Sequence, residues 1–126
     1  MAWEVSIHQD VLPWLMAIFR NQPEVGDPIE DAIDQLAEQG PALGRPLVDR
    51  IHSSKQLHNL KELRPRVPGQ AEIRLLFVFD YDREAIILVG GDKAGSWNKW
   101  YDTAIPLAEH RYDEWIANKA REERDK

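Results

Sequence analysis

The chain has no cysteine in its 126 residues. That excludes a disulfide framework, a cysteine-held zinc or iron–sulfur centre, and a thiol nucleophile. No apolar run approaches the ~18 residues a membrane helix needs, so no membrane partner is expected. The opening residues Met1-Ala2-Trp3-Glu4-Val5 lack a basic segment followed by an apolar one. No secretory signal is therefore expected, and a cytoplasmic location is. Four scattered histidines without cysteine make a metal centre or other cofactor unexpected. Gly90-Gly91 leads into Asp92-Lys93, not into the Gly-Lys-Ser/Thr ending of a phosphate loop. Ser53-Ser54 has no acyl-transfer triad around it. Bases are also few, 16 against 22 acids, for a net charge of −6. Taken alone, that total argues against a nucleic-acid ligand, because phosphate binding rewards positive charge.

The charge is unevenly spread. Residues 1–44 hold one base, Arg20, and eight acids. Residues 45–100 hold ten bases and seven acids, and residues 101–126 five bases and seven acids. An acidic first third thus precedes a basic middle, a pattern that suits a nucleic-acid face on an acidic body or plain solvated surface.

The length suits one domain, residues 1–120, followed by a charged tail at 121–126 that is expected to fray. Trp3 to Ile7 alternates as a half-buried strand does. Asp10 offers an N-cap for a helix running to about Asn21, with Val11, Leu12, Leu15, Ile18 and Phe19 at helical spacing. Gln22-Pro23 ends it. Asp27-Pro28-Ile29-Glu30 reads as a second helix start, and Gly40-Pro41 as its end. Leu43 to His58 has no period and reads as loop, with room for a turn of helix at Leu47–Ile51. Leu60–Arg64, Glu72–Phe79 and Ala85–Gly90 read as strands, the last two as an antiparallel hairpin across Asp80–Glu84. A helix from Asn98 to about Lys119 must be kinked or divided at Pro106. The order β-α-α-β-β-β-α predicts an α+β domain, its helices on one side of an antiparallel sheet.

The order of elements, together with Leu43-Gly44-Arg45-Pro46, Leu60-Lys61-Glu62-Leu63-Arg64, Glu72-Ile73-Arg74-Leu75-Leu76-Phe77, Leu88-Val89-Gly90-Gly91-Asp92-Lys93, Trp97, Trp100-Tyr101 and Ile105-Pro106, resembles the RelE/ParE superfamily of toxins. The chain is most similar to its HigB-like branch, which includes phage-derived members. The resemblance implies a type II toxin–antitoxin module and, for many members, a metal-independent, ribosome-dependent mRNA endoribonuclease that inhibits translation. It implies as partners a cognate antitoxin, often of helix-turn-helix type and forming a hetero-oligomer with the toxin, the ribosome and mRNA, and operator DNA reached only through the antitoxin. ParE-type relatives on the same fold inhibit DNA gyrase without cleavage, and a non-toxic relative acting only in a regulatory complex is a further alternative.

Metal-free RNA cleavage needs a base for the 2′-oxygen, donors for the phosphorane charge, and an acid for the leaving 5′-oxygen. Arginine suits the second role, because its planar fork pairs two phosphate oxygens and stays charged. Arg74 is the one cation in an otherwise apolar strand. It either enters a site or pairs structurally with Glu62 or Glu72. Arg64 falls near the same sheet end if the two strands pair antiparallel. Both match arginines of the family pattern. Lys61 and Lys93 flank this surface as site cations or as exposed lysines, and a lysine among arginines has a lowered pKa that suits proton transfer. The resemblance adds Tyr101, as a proton-transfer or base-stacking aromatic, and His58, as a possible base or a surface histidine. Trp97 and Trp100 are stackers or core lids. Arg45, Arg66, Lys99 and Trp97 complete the expected RNA surface.

Overall fold

The computed structural model describes residues 2–80 and 82–125. Met1, Tyr81 of the expected hairpin connection and Lys126 of the expected tail lie outside the described residues. The elements are β1 (Glu4–Ile7), α1 (Leu12–Asn21), α2 (Pro23–Gln39), a 3-10 turn (Gly40–Ala42), β2 (Val48–Arg50), β3 (Lys61–Leu63), β4 (Ile73–Asp80), β5 (Glu84–Asp92) and α3 (Asn98–Arg124). The five strands form one sheet in the order β1-β5-β4-β3-β2. The α+β class and the β4–β5 hairpin are as the sequence predicts.

Five features differ from that prediction. The sheet is mixed: β1 runs parallel to β5, with Val5 opposite Ala85. Alternation marks a strand but carries no information on its partner or direction. Val48–Arg50 is a strand, not loop or helix, and pairs antiparallel with β3. Three residues are too few to show a period. Helix α2 starts at Pro23, with Asp27 and Pro28 inside it, and α1 is preceded by Val11; neither helix has a side-chain cap. Proline fits the first helical turn because its missing N–H has no intrahelical partner there, so Pro23 opens α2 as well as closing α1. Next, α3 is one helix of 27 residues that includes Pro106 and continues through residues 121–124, expected as a frayed tail. Its last turns are tied down where Lys119 meets Asp80 at 3.2 Å and Asp82 at 2.9 Å, and Arg121 and Arg124 suit the negative end of the helix dipole.

The helices also cover both faces of the sheet instead of one. Leu15, Ile18, Ile29 and Leu36 of α1 and α2 pack with Leu63, Ile73, Leu75, Phe77, Ala85 and Ile87. Ala104, Ile105 and Ala108 of α3 pack with Leu60, Leu76, Val78, Ile86, Leu88 and Val89. This explains why β4 and β5 read as continuous apolar runs: each strand serves two cores. Between Leu76 and Phe77 the register shifts, with Leu76 opposite Val89 and Phe77 opposite Ile87. Leu88 is the extra residue of this bulge, and Leu88 and Val89 both face α3. Beyond it, a Cβ on Gly90 would lie 2.5 Å from the Trp14 ring, and one on Gly91 2.8 Å from the Trp100 indole nitrogen. Both glycines are there so that a tryptophan from each side can close on the strand.

Candidate active site

On β3, Leu63 enters the core beneath α1 and α2. Strand alternation therefore turns Glu62 and Arg64 towards the α3 face. On β4, Arg74 shares that face with Leu76 and Val78. The β3–β4 pairs are Lys61–Phe77, Glu62–Leu76 and Leu63–Leu75, and the same register carried one residue on sets Arg64 opposite Arg74. Across β4, Arg74 pairs with Gly91. The turn after β5 then supplies Lys93, whose amide donates to the Glu72 carbonyl at 2.9 Å. Tyr101 reaches the same place from the first turns of α3.

Glu62 is the centre of this group. It is 1% exposed. Its Oε1 accepts from Arg64 Nε at 2.8 Å and lies 2.7 Å from Arg64 Nη2. Its Oε2 accepts the Tyr101 hydroxyl at 2.6 Å. Arg64 also faces Asp49 at 3.4 Å. Arg74 donates from Nη1 to the Ile73 carbonyl at 2.8 Å and from Nη2 to Glu72 Oε2 at 3.2 Å. Its Nε is buried and has no hydrogen-bond partner among the described residues. Of the two pairings open for Arg74 in the sequence, Glu72 is the one formed. Lys93 Nζ lies 5.1 Å from the Tyr101 ring centre and 5.7 Å from that of Trp97, within reach of a cation–π attraction.

The protonation states follow from these contacts. Burial, and then the neighbouring charge of Arg74, lower the Lys93 pKa from its ordinary value. Burial, and then the hydrogen bond to Glu62, push the Tyr101 phenol up to about 12, so it remains a donor at neutral pH. At Arg64 burial opposes the charge, but the hydrogen bond it donates to Glu62 and the charges of Glu62 and Asp49 outweigh it and raise the pKa. Asp49 is lowered, first by the Arg50 amide and further by Arg45 and Arg64, against burial.

Arg64, Arg66 and Arg74 line one open cleft of about 330 Å³ with Pro46, Pro65 and Glu72. Arg45 is exposed and joins the cluster's edge through Asp49, 3.6 Å away. Trp97, 54% exposed, has a left-handed φ of 47°. It is therefore a displayed aromatic and not a core lid, whereas Trp100 packs on the α3 core. Lys99 is exposed in the first turn of α3. Two expected members stand apart. Lys61 points to the opposite face of the sheet, 5.3 Å over the Phe79 ring. His58 is exposed and lines a separate cleft with Arg50, Gln56, Asn59 and Tyr112.

The sequence reading did not single out Glu62 as an organiser, nor Asp49. A carboxylate between Leu60 and Leu63 in a strand is the signal that marked Glu62. Away from the cluster, His8, Asp10 and Glu114 form a group of three potential metal ligands among the described residues. Their use as ligands is opposed by two contacts. His8 Nδ1 accepts the Asp10 amide at 3.1 Å, which leaves the proton on Nε2, and the Arg111 guanidinium lies 3.9 Å from Asp10.

The arrangement places two guanidinium forks on one cleft, with a protonated phenol tied to the same carboxylate as Arg64 and a lysine of lowered pKa beside them. Such a set can hold a phosphodiester and transfer a proton.

Comparison with known proteins supplies the context. The family model described as "Phage derived protein Gp49-like (DUF891)" matches residues 18–113. A curated relative from Mycobacterium tuberculosis, "Putative toxin HigB3", is 51% identical over 90 residues, which cover 71% of this chain and 75% of the relative. A second from the same organism, "Putative toxin HigB2", is 41% identical over 117 residues, 93% of this chain. The match spans 56% of that second relative's length. A solved structure of an arginine-to-alanine double mutant of E. coli toxin RelE in the free state aligns with a TM-score of 0.57 at 11% identity. It covers 84% of this chain and 97% of that one and shows a shared fold.

Proposed function

The chain belongs to the phage-derived Gp49-like family, in the HigB-like branch of the RelE superfamily, and from that premise we propose that it is the toxin of a type II toxin–antitoxin module acting as a metal-independent, ribosome-dependent mRNA endoribonuclease. The observation that carries the reading is the meeting of Arg64, Arg66 and Arg74 at one cleft with Lys93 and Tyr101 beside it. Arg74 and Arg64 hold the scissile phosphate and stabilise the charge of the phosphorane formed when the 2′-oxygen attacks. Charge stabilisation of this kind is usually the largest catalytic term. The 2′-hydroxyl gives its proton to solvent as its oxygen attacks, and Lys93, with its lowered pKa, gives a proton to the leaving 5′-oxygen. Tyr101 is a hydrogen-bond donor, and Trp97 offers a base a stacking surface. The cognate antitoxin is the neutralising partner. Operator DNA is contacted through it.

One observation favours the non-catalytic reading, a gyrase inhibitor or a regulatory relative. Arg64 is already paired with Glu62 and Asp49, and Arg74 with Glu72. Induction of the gene alone separates the readings. The ribonuclease reading expects growth arrest with new message ends inside translated frames, and relief by Arg74→Ala. Arrest with intact messages and altered DNA supercoiling supports the gyrase reading. Unimpaired growth supports the regulatory one.

A further inference from the structure

Helix α1 is apolar on every side up to its last two residues, Arg20 and Asn21. From Leu12 to Phe19 it carries no charged residue, and the Trp14 indole is its one polar side-chain group. A helix of that composition is ordinarily buried all round. Here Leu15 and Ile18 are buried while Leu12 and Met16, one turn apart, are 43% and 41% exposed. Pro13 and Ala17 are exposed beside them.

Helix α2 supplies the flank. It carries six acids, Glu24, Asp27, Glu30, Asp31, Asp34 and Glu38, and no base. All six are exposed. The two helices meet where Gly26 faces Phe19: a Cβ on Gly26 would lie 2.9 Å from the Phe19 ring. Glu30, one turn beyond Gly26, is on the same side of α2. Asp27 and Asp34, three residues before it and four after, stand next to it on the outer surface.

We propose that the outer groove between α1 and α2 is a docking surface for an amphipathic helix of a partner protein, its apolar stripe seated on Leu12 and Met16 and its Lys/Arg edge facing Asp27, Glu30 and Asp34. Charge selects this occupant. A second copy of the chain would bring its own acidic α2 towards this one, and an anionic membrane would be repelled. A basic-edged helix gains both apolar burial and ion pairs. Helix α1 is about 15 Å long, so the groove takes roughly three turns of a partner helix. It lies on the face of the sheet opposite Arg64, Arg74 and Lys93, so the partner leaves the catalytic cleft uncovered. The proposal does not depend on ribonuclease activity.

The test uses two synthetic helical peptides with the same Leu/Ile stripe, one edged with Lys/Arg and the other with Glu. Each is titrated against the full chain by fluorescence anisotropy at low and moderate salt. The basic peptide binds in the micromolar range and weakens with salt. Its affinity falls at least tenfold in Met16→Ala and again in the Glu30→Gln/Asp34→Asn double variant, while the acidic peptide does not bind. Circular dichroism verifies that both variants fold. Equal binding of the two peptides, or affinity unmoved by either variant, overturns the proposal. So does sedimentation of the chain as a dimer that Met16→Ala dissociates, because the occupant is then a second copy.

Discussion

The Tyr101 hydroxyl donates a 2.6 Å hydrogen bond to Oε2 of Glu62, a carboxylate whose other oxygen is held by Arg64. One buried acid from β3 thus fixes an arginine of the sheet and a phenol of α3 in a single geometry. The connection crosses 39 residues of sequence.

The pH dependence of stability follows from this bond. The Tyr101 pKa is raised from 10 to about 12 on folding. A raised pKa contributes stability that is fully present below the unfolded value and is lost as pH climbs through the folded one. Unfolding midpoints in urea should therefore fall between pH 10 and pH 12, and Tyr101→Phe should flatten that decline. Phenolate absorbance should show one tyrosine ionising about two pH units later than an ordinary phenol. A normal titration of every tyrosine contradicts the bond.

Glu62→Gln tests the carboxylate as organiser. The amide keeps the size and one acceptor but cannot hold the Arg64 charge. Loss of a buried, charge-assisted pair of this kind destabilises by about 2–4 kcal/mol, less where the partner is partly exposed, as Arg64 is. Chemical denaturation should show a loss of about 1–3 kcal/mol. Because Arg64 is freed from its clamp, substrate cleavage should weaken more than stability alone explains when both are measured well below the melting temperature.

Lys93 predicts a pH–rate signature. Its pKa lies below the ordinary lysine value, so as a proton donor it becomes inactive at lower pH than a free lysine would. The cleavage rate should decline at alkaline pH with an apparent pKa below 10.5. Lys93→Arg retains the charge but holds its proton, so that decline should disappear and the rate should drop roughly ten- to a hundredfold. An unchanged profile removes Lys93 from proton transfer and leaves it an electrostatic role.

Gly90→Ala tests the packing that seats β5. The added methyl would lie 2.5 Å from the Trp14 ring, so the indole or the strand must move. Overpacking of this kind costs about 1–3 kcal/mol. A thermal melt should show a clear loss, and a simultaneous Trp14→Leu change should recover part of it.

What the sequence made legible tracks what is local. The strands Glu72–Phe79 and Ala85–Gly90 and their turn are visible because a hairpin's partner is its neighbour. Arg74 is visible as a lone cation in an apolar run. The parallel seat of β1 beside β5, the strand Val48–Arg50 and the second apolar core depend on partners distant in sequence, or on elements too short for a period. The same holds inside the site. The residues singled out as cations included Lys61 along with Arg64 and Arg74, because composition does not record which face of a strand a residue occupies. Leu63 entering the first core settles that Lys61 and Arg64 diverge. The acidic total of −6 likewise averages an acid-faced α2 and a cleft with three arginines into one number.

The chemistry of the cut ends tests the central claim most directly. Purified ribosomes programmed with a defined message are treated with the chain, and the product ends are mapped. Attack by the 2′-oxygen predicts 2′,3′-cyclic phosphate or 3′-phosphate ends and 5′-hydroxyl ends. Arg74→Ala should slow their formation roughly a hundred- to a thousandfold while the protein stays folded. No cleavage, 3′-hydroxyl and 5′-phosphate ends, or full activity in Arg74→Ala would contradict a ribonuclease built on the Arg64–Arg74 cleft.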